Sequence, residues 1–477
     1  MVTIHLESNS KSDQIFWSPH RAMLARIHID ETDARVVEIW GIASGTRRFH
    51  GLLRLPALAA RTDAIDERKV HAPHKVGKLM RLRIADGRRL RAPLQALFVV
   101  VHQNKKEIRM RRIFSGSIVA LALTFGLLSH GQQQVEAAEL FGLTPGSVEL
   151  QSAGPLSFGP SGVLFVGDAK AAKIYAINTE DEKVGSGGSY DVDNLSERLG
   201  SALGTQEVVV NDMAVNPETG NAFLSVTAGN KAAIARVTPD GSVSPLNLDK
   251  IAHASVALPN APEDKVVGSG RRSRNPRESS ITDLAYTAGR VLVTGLAAGD
   301  SPSAVREFDF PFNESASGFR VEIFHAAHGR NEDNAPIQTF VPFTIDGEPS
   351  LLAGYTCTPL VKIPVGKFDN QSTVKGTTVA ELGNRNRPLD MIVYRQNGKD
   401  FVLMANSARG VMKVSTENLE ENSGLTEPVR GGGVAGQPYE TIDSMQGVVQ
   451  LDKQDDQHAL VVIDRDGKLA MQTVDLP

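Results

Sequence analysis

The sequence has a single cysteine, Cys357, so an internal disulfide, a CxxC redox pair and the cysteine-based zinc sites are excluded. Aromatic residues make up 5% of the chain, with two tryptophans, too few for the stacking platform that binds single-stranded nucleic acid. Long apolar runs are equally scarce. The one run without charge, residues 113–128, is shorter than the roughly 20 residues a spanning helix needs. No G-x-S-x-G elbow, Walker loop or H-E-x-x-H motif occurs. Gly431-Gly-Gly-Val-Ala-Gly436 fits G-x-G-x-x-G, but no strand-turn-helix pattern frames it and it reads as a flexible loop. With 43 glycines, 24 prolines and 41% hydrophobic residues, the composition is that of a turn-rich globular protein. Collagen, coiled coil and multispanning membrane protein are ruled out.

Charge divides the chain. The formal net charge of −4 combines a basic piece, residues 1–109, with an acidic remainder that would repel phosphate backbones. The basic piece holds Trp17, Trp40 and a cluster at Arg81, Arg83, Arg88, Arg89 and Arg91. At the junction, Met110-Arg111-Arg112, the apolar run 113–128 and Val135-Glu136-Ala137 together read as a signal peptide over 110–137, cleaved after Ala137. Residues 1–109 then have two readings. They are either the product of a start assigned too far upstream or a small basic domain retained by a signal anchor. The expected domains are therefore 1–109, 110–137 and 138–477, with the last exported to the periplasm or outside the cell and left without a stable membrane span.

Beyond residue 138, short β-branched and aromatic runs are cut by Gly, Pro, Asn and Asp, and only residues 192–203 read as a helix. The runs form a repeating unit. Asn211-Asp-Met-Ala-Val-Asn-Pro-Glu-Thr-Gly220 leads into Asn221-Ala-Phe-Leu-Ser-Val226. Thr282-Asp-Leu-Ala-Tyr-Thr-Ala-Gly289 and Leu389-Asp-Met-Ile-Val-Tyr-Arg-Gln-Asn-Gly398 open two further copies, with weaker ones near 155, 338 and 444. Four strands per unit predict an all-β fold, a six-bladed β-propeller, or seven-bladed if residues 256–267 hide a blade. The last unit is one strand short. An N-terminal strand at residues 147–151 is expected to complete it and close the ring.

Gly154-Pro-Leu-Ser-Phe-Gly-Pro-Ser-Gly-Val-Leu-Phe-Val166 and the run 211–220 resemble blades of six-bladed propellers of the NHL and gluconolactonase (senescence marker protein 30) type. The resemblance covers the chain beyond the signal. It implies a channel in which a Glu before the first-blade Gly-Pro joins Asn and Asp residues of other blades around Ca2+. Here Ala153 stands where that Glu would be, Asn211 matches an Asn position, and Thr282 and Leu389 occupy equivalent registers.

Read from the residues themselves, Asp212, Asp283 and Asp390 share one register before the innermost strands. With Asn211 they are candidate ligands for a hard cation such as Ca2+, or else acceptors that fix their own turns. Arg271, Arg272, Arg274 and Arg277 in a polar insertion, and Arg385 and Arg387 in a second loop, are candidate clamps for a sulfated or uronic sugar or an acidic protein. His325 and His328 in Phe324-His-Ala-Ala-His-Gly329 would share a metal if the segment turns, with no third ligand identifiable, and Cys357 reads as a small buried residue. Two functions follow. One is an exported propeller that binds a protein or carbohydrate partner, and not nucleic acid, through its loops. The other is a Ca2+-dependent, lactonase-like hydrolase with its site in the channel, although no complete catalytic set is present.

Overall fold

The computed structural model describes residues 141–477, apart from 182–187, 271–272, 314 and 367–371, together with the backbone of four strands nearer the N-terminus. The chain divides into two compact units, Met1–Val119 and Ala120–Pro477. In the first unit, Gln14–Ser18, Met23–Ile29, Val36–Ala43 and Arg47–Arg54 form an antiparallel meander. The signal-like segment 110–137 and the arginine cluster at 81–91 lie outside the described residues. Among the described residues no helix is long and apolar enough to cross a membrane.

The second unit is a β-propeller. From the centre outward, the first sheet runs Leu156–Phe158, Val163–Asp168, Lys173–Asn178, Ile251–Ala257 and Thr144–Gly146. The second is Val208–Val215, Ala222–Ala228, Lys231–Val237 and Val243–Pro245, and the third is Asp283–Thr287, Arg290–Leu296, Ser303–Asp309 and Ala316–His325. The fourth is Ile337–Ile345, Glu348–Tyr355, Pro359–Pro364 and Thr373–Glu381. The fifth is Pro388–Gln396, Lys399–Asn406, Met412–Ser415 and Tyr439–Thr441, and the sixth is Val448–Lys453, His458–Arg465, Lys468–Asp475 and Asp191–Val192. The outer strands of the third and fourth sheets also pair in parallel, Arg320 to Ile323 against Thr373 to Gly376.

Every second strand reads as a near-continuous apolar run because both of its faces are covered by neighbouring sheets. Val163–Asp168 is buried at every position. Phe165 packs on Tyr286, Phe310 and Phe312 of the third sheet and its approach, while Leu164 and Val166 face Phe223 and Ile234 of the second. Each fully buried side chain of this size contributes on the order of 2 kcal/mol.

The neighbours do not follow chain order. The first sheet packs between the second and the third. Third, fourth, fifth and sixth then follow in turn, and the sixth packs on the second. Having built most of the first sheet, the chain crosses to the second on one side and returns through Ile251–Ala257 to finish the first. It then enters the third sheet on the other side. The long interval between the second and third repeat copies thus holds a returning strand as well as the polar insertion, and residues 256–267 carry no extra sheet.

The expected closing strand at 147–151 does not form. That segment is held beside the first sheet, where buried Asp168 accepts from the backbone N–H groups of Gln151 (2.7 Å) and Ser152 (3.0 Å) and from the Ser152 hydroxyl (2.8 Å), and Val148 donates to Leu248 (2.8 Å). The outer place in the sixth sheet goes to Asp191–Val192, paired with Gln472 and Met471. Tyr190 fixes this two-residue strand. Its N–H donates to Thr473 Oγ1 (2.8 Å), and its hydroxyl lies within hydrogen-bond distance of Gly220 O, Val237 O and Ala222 N in the second sheet. The helix Leu195–Leu203 follows directly and buries Leu195 and Leu199 in the same core.

Candidate functional site

The innermost strands surround a channel of about 420 Å3, lined by Asp212, Asp283, Asp390 and Asp452 and by apolar side chains such as Met213, Ala285, Val341 and Ile392. The structure brings the three sequence-derived aspartates to one lumen and adds Asp452, a fourth. A backbone irregularity on the inner strand precedes Asp212, Asp390 and Gln450, so Gln450 holds the repeat register in the sixth sheet and Asp452 lies two residues further along.

Each aspartate holds its own sheet to the next. Asp212 accepts from Leu156 N in the first sheet (2.6 Å), and Asp452 from Val215 N in the second (2.7 Å). Asp390 accepts from Leu451 N in the sixth (2.9 Å), and Asp283 from Phe340 N in the fourth (2.7 Å). Ser157 Oγ accepts from Tyr286 N (3.2 Å), continuing the pattern from the first sheet to the third. The other oxygen of Asp283, Asp390 and Asp452 accepts from the following residue's N–H, each at 2.7 Å. The bonds run in one sense around the channel, from second to first to third to fourth and from fifth to sixth to second. Among the described residues none joins the fourth sheet to the fifth.

The lumen reaches solvent, so these carboxyls are partly accessible, yet protein surrounds them. Burial pushes Asp283 up to about 7 and Asp452 up to about 6, against the backbone N–H groups that favour the charged form. Burial, and then repulsion from the other aspartates, holds Asp212 and Asp390 well above the usual carboxylate range. No ion pair involves any of the four among the described residues.

This donor set does not fit the calcium ion that the family resemblance implies. Ala153 supplies no carboxylate, and its carbonyl accepts from Asn211 Nδ2 (2.8 Å), which also donates to Thr227 Oγ1 (3.0 Å). One oxygen of each aspartate accepts from a neighbouring sheet, and the other oxygen of Asp283, Asp390 and Asp452 from the residue that follows. Among the described residues, the one group of three side chains whose ligand atoms lie within 4.8 Å of one another is His325, His328 and Cys357.

Loops gather at the mouth from which the inner strands start. In four-stranded antiparallel sheets the second-to-third turn and the connection to the next inner strand leave on the same side, here residues 356–358, 258–282, 326–336 and 382–387. Residues 416–438 reach the same place: Val429 N donates to Ala326 O (2.9 Å), and Ala435–Gly436 pairs with Glu381 and Ala380. The glycine-rich run serves this close approach. A Cβ at Gly436, whose φ is 85°, would stand 2.1 Å from Val379 O, and one at Gly432 would stand 2.5 Å from Asn384 Oδ1.

The candidate arginines separate on this face. Arg385 and Arg387 are exposed, and Arg274 is exposed beside the Val267–Arg274 bridge. Arg277 spends its guanidinium on the carbonyls of Pro262 (2.6 Å) and Lys170 (3.2 Å) and so holds its loop in place. Arg271 and Arg272 lie outside the described residues. Val266, Val267 and Val434, three of the large exposed apolar residues, belong to the same loops.

No protein-family model matches the chain, and no curated protein matches it. Among solved structures it is similar to a putative oxidoreductase (glucose dehydrogenase) of Thermus thermophilus, at 11% identity and TM-score 0.29 over 70% of this chain and 100% of that one. It is similar to a luciferin-regenerating enzyme at 10% identity and TM-score 0.28, over 70% of this chain and 96% of that one. The Cps50 (Swd1) β-propeller domain of Myceliophthora thermophila is similar at 9% identity and TM-score 0.29, over 69% and 99%. Identities this low leave the chemistry of this chain to its own residues.

Proposed function

We propose that residues 138–477 are a six-bladed propeller, closed in the order second, first, third, fourth, fifth, sixth, that is exported and works as a binding module. Recognition belongs to the loop face at the channel mouth, and the aspartates staple the ring. The observation that carries this reading is the convergence of loops from several sheets on one face, with Arg274, Arg385 and Arg387 exposed there, while the channel carboxylates are spent on backbone N–H groups. Guanidinium groups on exposed loops suit a carboxylated or sulfated ligand, such as a uronic oligosaccharide or an acidic protein segment. Titrating the full chain with an oligouronate is expected to give binding that weakens with salt. Arg385→Glu combined with Arg387→Glu should weaken it at least about tenfold, the scale of one charge-assisted contact. Unchanged affinity in that double variant would remove this loop from the recognition face.

A further inference from the structure

His325 ends the outer strand of the third sheet. The chain then turns back, with His328 N and Gly329 N both donating to His325 O (3.0 and 2.8 Å), and this lays the His328 ring beside the His325 ring at 3.9 Å between centroids. Glu332, opposite Ile323 in the short hairpin that follows, bridges both imidazoles. Its Oε2 lies 2.7 Å from His325 Nδ1 and its Oε1 2.8 Å from His328 Nδ1. A carboxylate that accepts from both Nδ1–H groups leaves both Nε2 lone pairs free for a ligand. It also fixes the ring orientations, as carboxylates do behind metal-bound histidines.

Two elements of the fourth sheet face this pair. Cys357 stands in the turn after Glu348–Tyr355, and one nitrogen from each histidine and the Cys357 sulfur lie within 4.8 Å of one another. Cys357 and Thr358 both have positive φ, 67° and 55°. For a β-branched residue that conformation is strained and is kept where the surroundings over-determine it. Here Cys357 N donates to Asn386 O (2.7 Å) and Thr358 Oγ1 to Gly383 O (2.6 Å). Glu381, fully buried at the end of the outer strand, places Oε1 4.0 Å from His325 Nε2. His325 is 2% exposed, and its Nε2 has no hydrogen-bond partner; neither does Glu381 Oε2. Buried polar atoms are rarely left so.

We propose that His325, His328 and Cys357, with Glu381 as the fourth donor, form a binding site for a borderline-soft divalent transition metal of the zinc type, and that Glu332 positions the two imidazoles. Two imidazole nitrogens, a thiolate and a carboxylate are a tetrahedral zinc donor set. Ligand atoms around one such ion lie roughly 3.3–3.7 Å apart, so His325, His328 and Cys357 must draw in by about an ångström, and Glu381, which stands outside their 4.8 Å group, must move further. Binding takes the thiol proton from Cys357 and releases it to solvent. His328 is partly exposed and gives the ion its access from solvent. The single cysteine, which read as a small buried residue outside any zinc site, is partly exposed and becomes a ligand once the fold brings the histidines to it. The site does not depend on the anion-binding reading.

The test uses the full chain after chelation, titrated with Zn2+ alone and with Co2+ alone. One equivalent of each is expected to bind. The Co2+ form should show the intense visible bands of tetrahedral coordination and a thiolate-to-cobalt band in the near ultraviolet. Cys357→Ser should remove the near-ultraviolet band and His328→Ala the tetrahedral spectrum, while Glu332→Gln should weaken Zn2+ binding about 10–100-fold. His328 is exposed, so its variant keeps the test open if the turn variant does not fold. Absence of one-equivalent binding, or Zn2+ affinity unaltered in both Cys357→Ser and His328→Ala, would overturn the site.

Discussion

The thermal midpoint of the chain is expected to fall as pH rises from 5 to 8, by on the order of 5–10 °C for a protein of this size. Four channel carboxyls are responsible. Burial favours the neutral form, so Asp283 and Asp452 titrate near 7 and 6 in the folded chain but near 3.8 once unfolded. Between those limits the folded state holds protons that the unfolded state has released. The stabilisation is complete below about pH 4 and is lost as pH climbs through 6 to 7. For Asp283 alone the shift corresponds to on the order of 4 kcal/mol, reduced in practice by water in the lumen. Asp212 and Asp390 add to the effect because burial, and then repulsion from the other aspartates, raises both. Asp283→Asn should flatten the pH dependence, and a midpoint that does not move between pH 5 and 8 would contradict the described channel. Asp452→Asn should flatten the profile as well, because it removes one buried carboxyl and its repulsion of Asp212 and Asp390.

Asp181→Ala is expected to cost about 1–3 kcal/mol, the scale for leaving buried polar groups without an acceptor, since the Arg236 side chain is 38% exposed and its charge stays solvated. Asp181 is 7% exposed and accepts from Asn216 Nδ2 (2.8 Å), Asn221 Nδ2 (2.8 Å), Arg236 Nη1 (3.2 Å) and the Thr219 hydroxyl. The network ties the end of the first sheet's third strand to the turn at 216–221 and the third strand of the second sheet. The chain leaves chain-order packing at this point, and these bonds help hold the second sheet beside the first. Without the carboxylate, Asn216 and Asn221 lose buried acceptors, and the Arg236 charge loses its partner. Chemical denaturation of the variant against the parent measures the loss. A change below about 1 kcal/mol would show that the contact is incidental to that packing.

Much of this was legible in the sequence. The apolar second strands stand out because sheets cover both of their faces, and Asn, Asp and Gly mark the turns. The inner strands consequently fall where the repeat placed them, at Val208–Val215, Asp283–Thr287 and Pro388–Gln396 among others. The register of Asp212, Asp283 and Asp390 was visible for the same reason. Asp452 escaped because Gln450 occupies the repeat position and the carboxylate comes two residues later. Which sheet neighbours which is carried by no local pattern. Asp191–Val192 has only two residues, and its place in the sixth sheet follows from Tyr190 reaching two sheets at once. The histidine pair carried a signal in its spacing, but Cys357 and Glu381 join it only through packing of the third and fourth sheets.

Calorimetric titration of the chelated chain with Ca2+ at neutral pH tests most directly whether the channel is a stapled scaffold or a cation site. With one oxygen of each aspartate accepting from Leu156, Val215, Phe340 or Leu451, no tight Ca2+ binding is expected, and Asp212→Asn should leave the titration unchanged. One Ca2+ bound tightly, and lost in Asp212→Asn, would contradict this account and make the channel a metal centre.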